Sequence, residues 1–137
     1  MMKQGMPSGL IKLCLSASLI FGSLAACEEQ DMAERELSRL EKYELTAKET
    51  EVARALLAGY RIEMGITRLP LREYDTAACY ARAVNMPDQY HRAHLIYLEN
   101  YPKADDDWNN FWAQAGIGLT TANAMSDLVE KAYAICD

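Results

Sequence analysis

The sequence predicts an all-α protein, a small bundle of about four to five helices behind a charged helical segment. Three observations predict it. Apolar residues recur three and four apart from residue 29 to the C-terminus. Glycine, proline and capping residues fall between these periodic stretches. No run of alternating apolar and polar residues marks a strand.

The first helix is expected from about Glu29 to Tyr43. Its apolar stripe is thin, Ala33, Leu37 and Leu40, and Asp31 and Arg35 stand at the i,i+4 spacing of an ion pair. Thin stripes pack weakly, so this segment reads as a tether. Thr46-Ala47-Lys48-Glu49 has the pattern of a capping box and opens a second helix from Ala47 to Met64. Val52, Leu56, Tyr60 and Met64 share its inner face, with Ala53 and Leu57 beside them, and Gly65 stands where it ends. One continuous helix across both segments is the alternative. Ile66 to Arg72, with Pro70, reads as a connector.

A third helix, Tyr74 to Val84, turns Ala77, Ala78, Ala81 and Val84 inward and carries Cys79. Asn85-Met86-Pro87 breaks the chain, with Pro87 suited to the first turn of the next helix. That fourth helix carries Tyr90, Ala93, His94, Tyr97 and Tyr101, and Pro102 follows it. Asp105, Asp106 and Asp107 favour the start of a short fifth helix with Trp108, Phe111, Trp112 and Ala115 on one side. Gly116 and Gly118 end it. Thr120 or Thr121 is expected to cap the last helix, whose stripe is Met125, Leu128, Val129, Ala132 and Cys136.

The 137 residues amount to one domain with a short leader. Lys3 and Lys12 are the only charges before Cys27; behind it lie 12 basic and 20 acidic residues, a formal net of −8. That balance repels phosphate backbones, which argues against a nucleic-acid partner. It also disfavours electrostatic attachment to anionic lipid, so any membrane attachment is expected to be covalent or apolar.

The leader has the three parts of a secretory signal. Met1 to Lys12 is positively charged, Leu13 to Leu24 is apolar, and Ala25 and Ala26 are small. The uninterrupted stretch from Leu13 to Ala26 is 14 residues, short of the ~20 a spanning helix needs. Leu24-Ala25-Ala26-Cys27 at the end of this region resembles the lipobox of bacterial lipoproteins. The resemblance covers the first 27 residues. It implies that a diacylglycerol joins the Cys27 sulfur, that the chain is cut before Cys27, and that the new amino terminus receives an acyl chain such as palmitate. It also implies a cell-envelope location, with the domain in the periplasm. Glu28 in place of aspartate implies the outer membrane rather than the inner. Ordinary cleavage after Ser23-Leu24-Ala25 is the alternative.

The chain has four cysteines, Cys14, Cys27, Cys79 and Cys136. Removal of the leader and lipidation of Cys27 leave an even number in an oxidising compartment, which predicts a Cys79–Cys136 disulfide. Two separate buried thiols are the alternative. The expected organisation is a signal peptide over 1–26, a lipidated charged tether over 27–45 and a helical domain over 46–137.

Candidate chemistry is thin. Asp105-Asp106-Asp107-Trp108-Asn109 begins like a calcium loop, but Asn110 and Gly116 stand where glycine and glutamate are needed. Asp88, His91 and His94 are three apart on a helix, without the second Glu-x-x-His or the HExxH of known metal sites. No metal or other cofactor is therefore expected. Ser38 and Ser126 lack a nucleophile setting, and no phosphate-binding glycine loop occurs. An enzyme would need convergent groups such as Glu63, Glu73, Asp75 and His94.

Aromatic density is the most unusual local feature. Tyr90, Tyr97, Tyr101, Trp108, Phe111 and Trp112 fall within 23 residues. They read as core, or, where exposed, as a face that receives a partner segment. Tyr97, Tyr101, Trp108, Phe111 and Trp112 are the candidate partner-binding residues. The favoured function is a non-enzymatic accessory lipoprotein with an envelope protein partner, a plan architecturally similar to secretion-system pilotins. The alternatives are a spacing lipoprotein that self-associates through residues 29–64, and a small envelope enzyme. Oligomeric state is left open by the sequence.

Overall fold

The computed structural model describes the backbone of residues 23–101 and 108–136, and the side chains of residues 30–101 and 109–136. The fold is all-α. Its helices in chain order are α1 (Ser23–Glu41), α2 (Ala47–Met64), α3 (Leu71–Val84), α4 (Asp88–Asn100), α5 (Trp108–Gln114) and α6 (Leu119–Cys136). No helix among the described residues is long and apolar enough to cross a membrane. The triple aspartate 105–107 lies outside the described residues.

The described residues up to Arg39 form one unit and those from Leu40 onward a second. In the first, α1 begins at Ser23, ahead of the expected Glu29. Arg35 meets Asp31 at 3.8 Å, with both side chains more than half exposed. Such a pair contributes little.

The α1–α2 junction settles the choice between one helix and two. Glu44 adopts a left-handed backbone with φ 54°, which a continuing helix does not contain. Thr46 then opens α2: its hydroxyl accepts from the Glu49 amide at 3.1 Å, while its own amide donates to Glu49 Oε1 at 2.9 Å. The capping box is complete. The bundle core also begins earlier than residue 46, because Leu40 is buried and Tyr43 and Leu45 pack on it.

In the second unit α2 packs against both α3 and α4, α3 packs against α6, and α5 lies against α6. Val52, Leu56 and Leu57 are buried, as are Ala77, Ala81 and Val84 of α3, and Met125, Val129 and Ala132 of α6. Met64 departs from the expected inner face and is exposed. It sits in the last turn, next to Gly65, whose left-handed φ of 66° ends α2.

Pro70 and Pro87 each stand one position before a helix, in extended conformation. Pro87 is thus a cap residue rather than part of the first turn. Neither offers a capping side chain, and the carbonyls of both accept short i→i+3 bonds, from Glu73 at 3.1 Å and Tyr90 at 2.9 Å. The residue before Pro87, Met86, is buried and anchors the turn. α5 ends in a Schellman motif: Gly116 at φ 74° donates to Ala113 O, and Ile117 to Trp112 O. α6 starts at Leu119, so Thr120 and Thr121 lie inside its first turn and neither is the residue that precedes the helix.

Two constraints hold the bundle. Gly59 on α2 faces α4 so closely that a Cβ there would meet Leu98 O at 2.5 Å and the Tyr101 ring at 2.9 Å. The disulfide Cys79–Cys136, with Cα atoms 5.8 Å apart, joins α3 to the last residue of α6.

Gly59→Ala is expected to destabilise the fold by about 1–3 kcal/mol, read as a lower urea midpoint, since a backbone oxygen cannot yield as a side chain would; an unchanged midpoint would show that α2 and α4 are free to separate. Removing the disulfide with Cys79→Ser and Cys136→Ser together is expected to cost about 4 kcal/mol by the chain-entropy relation for a separation of 57 residues. Urea titration of the doubly substituted chain measures it. A loss below about 1 kcal/mol would mean the unfolded chain is already constrained.

Candidate functional site

The aromatic residues expected to receive a partner turn largely inward. Trp112 is 6% exposed. Its ring stacks on Tyr97 at 6.1 Å and 16°, and Phe111 meets its edge at 5.0 Å and 72°. Tyr97 in turn stacks on Tyr101 at 6.1 Å. Such offset and edge contacts are packing geometry. Tyr97, Phe111 and Tyr90 are half-buried and packed against the core. The Tyr101 hydroxyl donates to Glu63 Oε2 at 2.5 Å. Burial, then the Glu63 hydrogen bond, raises its pKa, so it remains a neutral donor. Among the described residues the cluster therefore joins α4 to α5 and α2. The side chain of Trp108 lies outside the described residues.

A second buried constellation lies beside the disulfide. Tyr80 and His94 are both fully buried, and the Tyr80 hydroxyl lies 2.6 Å from His94 Nε2. Tyr133 packs on Tyr80, with ring centroids 4.9 Å apart. Burial, then His91, then Lys48 lower the His94 pKa from 6.5 to about 4. Burial raises that of Tyr80. Both groups are thus neutral at pH 7, and His94 Nδ1 is buried without a hydrogen-bond partner. The ring is a structural histidine without solvent access.

His91 is partly covered. It is 19% exposed, with Nε2 3.6 Å from Glu51 Oε1, beyond hydrogen-bonding distance. Nearby, Lys48 donates to the Met86 carbonyl and, at 2.7 Å, to Asp88. The Lys48 hydrogen bond, then its charge, lowers the Asp88 pKa. The lysine thereby ties α2 to the α3–α4 turn.

The groups an enzyme would have to converge each have a separate contact. Glu63 accepts from Tyr101. Glu73, 8% exposed, pairs with Arg72 at 3.2 Å. Asp75 accepts from the Tyr43 hydroxyl, whose pKa is raised to about 12 by burial and then by that bond. His94 is enclosed with Tyr80. Among the described residues no three His, Cys, Asp or Glu side chains gather to hold a metal ion. The surface depression lined by Asp31, Glu34, Arg35, Ser38 and Arg39 runs along α1 alone and is wide open. Ser126 is exposed on α6.

Cys79 and Cys136 are accounted for by their bond. The backbone of Cys27 lies in α1, and its side chain lies outside the described residues.

Part of the exposed apolar surface lies at the end of α2 and in the segment that the sequence reads as a connector. Of the seven large apolar residues exposed among those described, Ile62, Met64, Ile66 and Leu71 border the α2–α3 turn. Arg61, Arg68 and Arg72 stand among these aliphatic residues in the sequence, but exposure is not readable from spacing alone.

His94 dictates a pH dependence. Its folded-state pKa lies below that of the unfolded chain, so between pH 6.5 and about 4 the unfolded state binds the proton first. The stability carried by neutral His94 is complete above pH 6.5 and is lost as pH falls toward 4. The loss amounts to about 3 kcal/mol. Urea midpoints across this range should fall steeply in the natural chain and much less in His94→Gln, which retains a polar partner for Tyr80. Parallel pH profiles for the two chains would refute the assignment.

No protein-family model, curated protein sequence or solved structure matches this chain, so its functional reading rests on its own residues.

Proposed function

We propose that the chain is a bacterial lipoprotein, cut before Cys27 and acylated there, that holds a non-enzymatic helical domain in the periplasm against the outer membrane and serves an envelope protein as accessory or binding module. The observation that carries this reading is cysteine accounting. Cys79 and Cys136 consume each other. Behind the apolar leader only Cys27 is left, directly after Leu24-Ala25-Ala26. A lone thiol in an oxidising compartment is a liability, and acylation removes it.

The anchor chemistry is sufficient. One acyl chain binds a bilayer reversibly, and two or three make attachment effectively permanent, at about 0.8 kcal/mol per buried methylene. The accessory role is favoured over catalysis because Glu63, Glu73, Asp75 and His94 are each engaged in a different structural contact. The spacing role loses its rod, because α1 and α2 are separate helices and α2 packs within the bundle.

Growth of cells expressing the full chain with an alkyne-bearing palmitate tests the proposal. The natural chain should carry the label and Cys27→Ser should not, and the mature mass should begin at a modified Cys27. An unlabelled natural chain, or a mass that begins at Ala26 or retains Met1, would overturn it.

A further inference from the structure

The last helix is joined to the bundle differently from the three central ones. α2, α3 and α4 hold one another directly. Gly59 of α2 lies against Leu98 and Tyr101. Lys48 ties α2 to the α3–α4 turn, Tyr101 meets Glu63, and Tyr80 of α3 meets His94 of α4. α6 rests mainly on α3, with lesser contact to α4 and α5. Its buried side chains are Ala122, Met125, Val129 and Ala132, so two of the four contribute a single methyl group each. Leu128 and Tyr133 add half-buried area at its sides.

The covalent bond sits where this attachment ends. Cys136 is the last residue of α6, and it is bonded to Cys79 within α3. Both cysteines are partly exposed, and Ala134 and Ile135 beside Cys136 are exposed. The disulfide therefore lies at the rim of the core, where a dissolved thiol can approach it. A stripe of small side chains returns little against the entropy of fixing an 18-residue helix. The cross-link makes up the difference by keeping the detached helix close to its seat. Tyr133, three residues before Cys136, packs on the buried Tyr80, so the same end of α6 covers the middle of α3.

We propose that the Cys79–Cys136 bond is a redox latch: a protein dithiol opens it, and α6 then leaves α3 while α2, α3 and α4 stay folded together. A thiolate of the dithiol attacks the Cys136 sulfur, the S–S bond breaks, and Cys79 departs as a thiolate and takes a proton. The second thiol of the dithiol then attacks the mixed disulfide and releases Cys136, which is protonated in turn. The two protons and two electrons come from the dithiol, which ends as a disulfide. An oxidising compartment keeps the latch closed, so opening reports contact with such a dithiol. Release of α6 uncovers Tyr80, the residue that Tyr133 packs on. The latch does not depend on acylation of Cys27.

The test uses the full chain as the cell processes it, with dithiothreitol as the dithiol. Reduction at neutral pH without denaturant should go to completion. Hydrogen exchange read by mass spectrometry should then speed up about a hundredfold or more across α6, while peptides from α2, α3 and α4 exchange as before. Reoxidation should restore the protection of α6. Cys79→Ser together with Cys136→Ser should show the fast α6 exchange without reductant and no further response to it. Measurements on the reduced natural chain stand by themselves should that variant fail to fold. A bond that yields only in urea is a structural staple, and that result overturns the latch. So does an α6 that stays protected after complete reduction, or a loss of protection in α2, α3 and α4 that accompanies the loss in α6.

Discussion

The bond between Cys79 and Cys136 holds the end of α6 on α3, and the rest of the bundle is arranged around that closure. A domain of this size has a stability of only about 5–15 kcal/mol, so a cross-link worth about 4 kcal/mol is a large share of what keeps it folded. The bond also joins segments of very different position in the chain. α2, α3 and α4 form a contiguous set in sequence, whereas α6 is appended after the intervening α5. Tyr133 reaches Tyr80 from the same end of α6 that carries the disulfide, and Tyr80 in turn shelters His94.

Around this closure polar groups serve packing. Lys48, Tyr43, Arg82 and Glu63 each tie a turn or helix end to a neighbouring element. Even the buried histidine is held neutral, because charging it would cost more desolvation than its surroundings return.

Local features of the structure were the most legible in the sequence. The Thr46 capping box, the ends at Gly65 and Gly116, and the break at Asn85-Met86-Pro87 involve groups a few residues apart, so neighbouring side chains decide them. Burial at helix ends was less legible. Met64 follows the period of α2 yet is exposed. Leu98 was not singled out among the aromatic residues of α4, although it is fully buried and its carbonyl sets the close approach to Gly59.

By itself the sequence determined the helical class, the order of helices, the Cys79–Cys136 pairing and the lipobox-like motif before Cys27, since these follow from period, local caps and residue counts. Tertiary structure alone decided that Trp112 is core, that α1 and α2 separate at Glu44, that His91 is partly covered and that four of the exposed apolar residues border the α2–α3 turn. The physical reason is that spacing reports which residues share a helix face, while exposure depends on what other elements place against that face. For an irregular turn no period exists, and only the packed neighbours define its outer side.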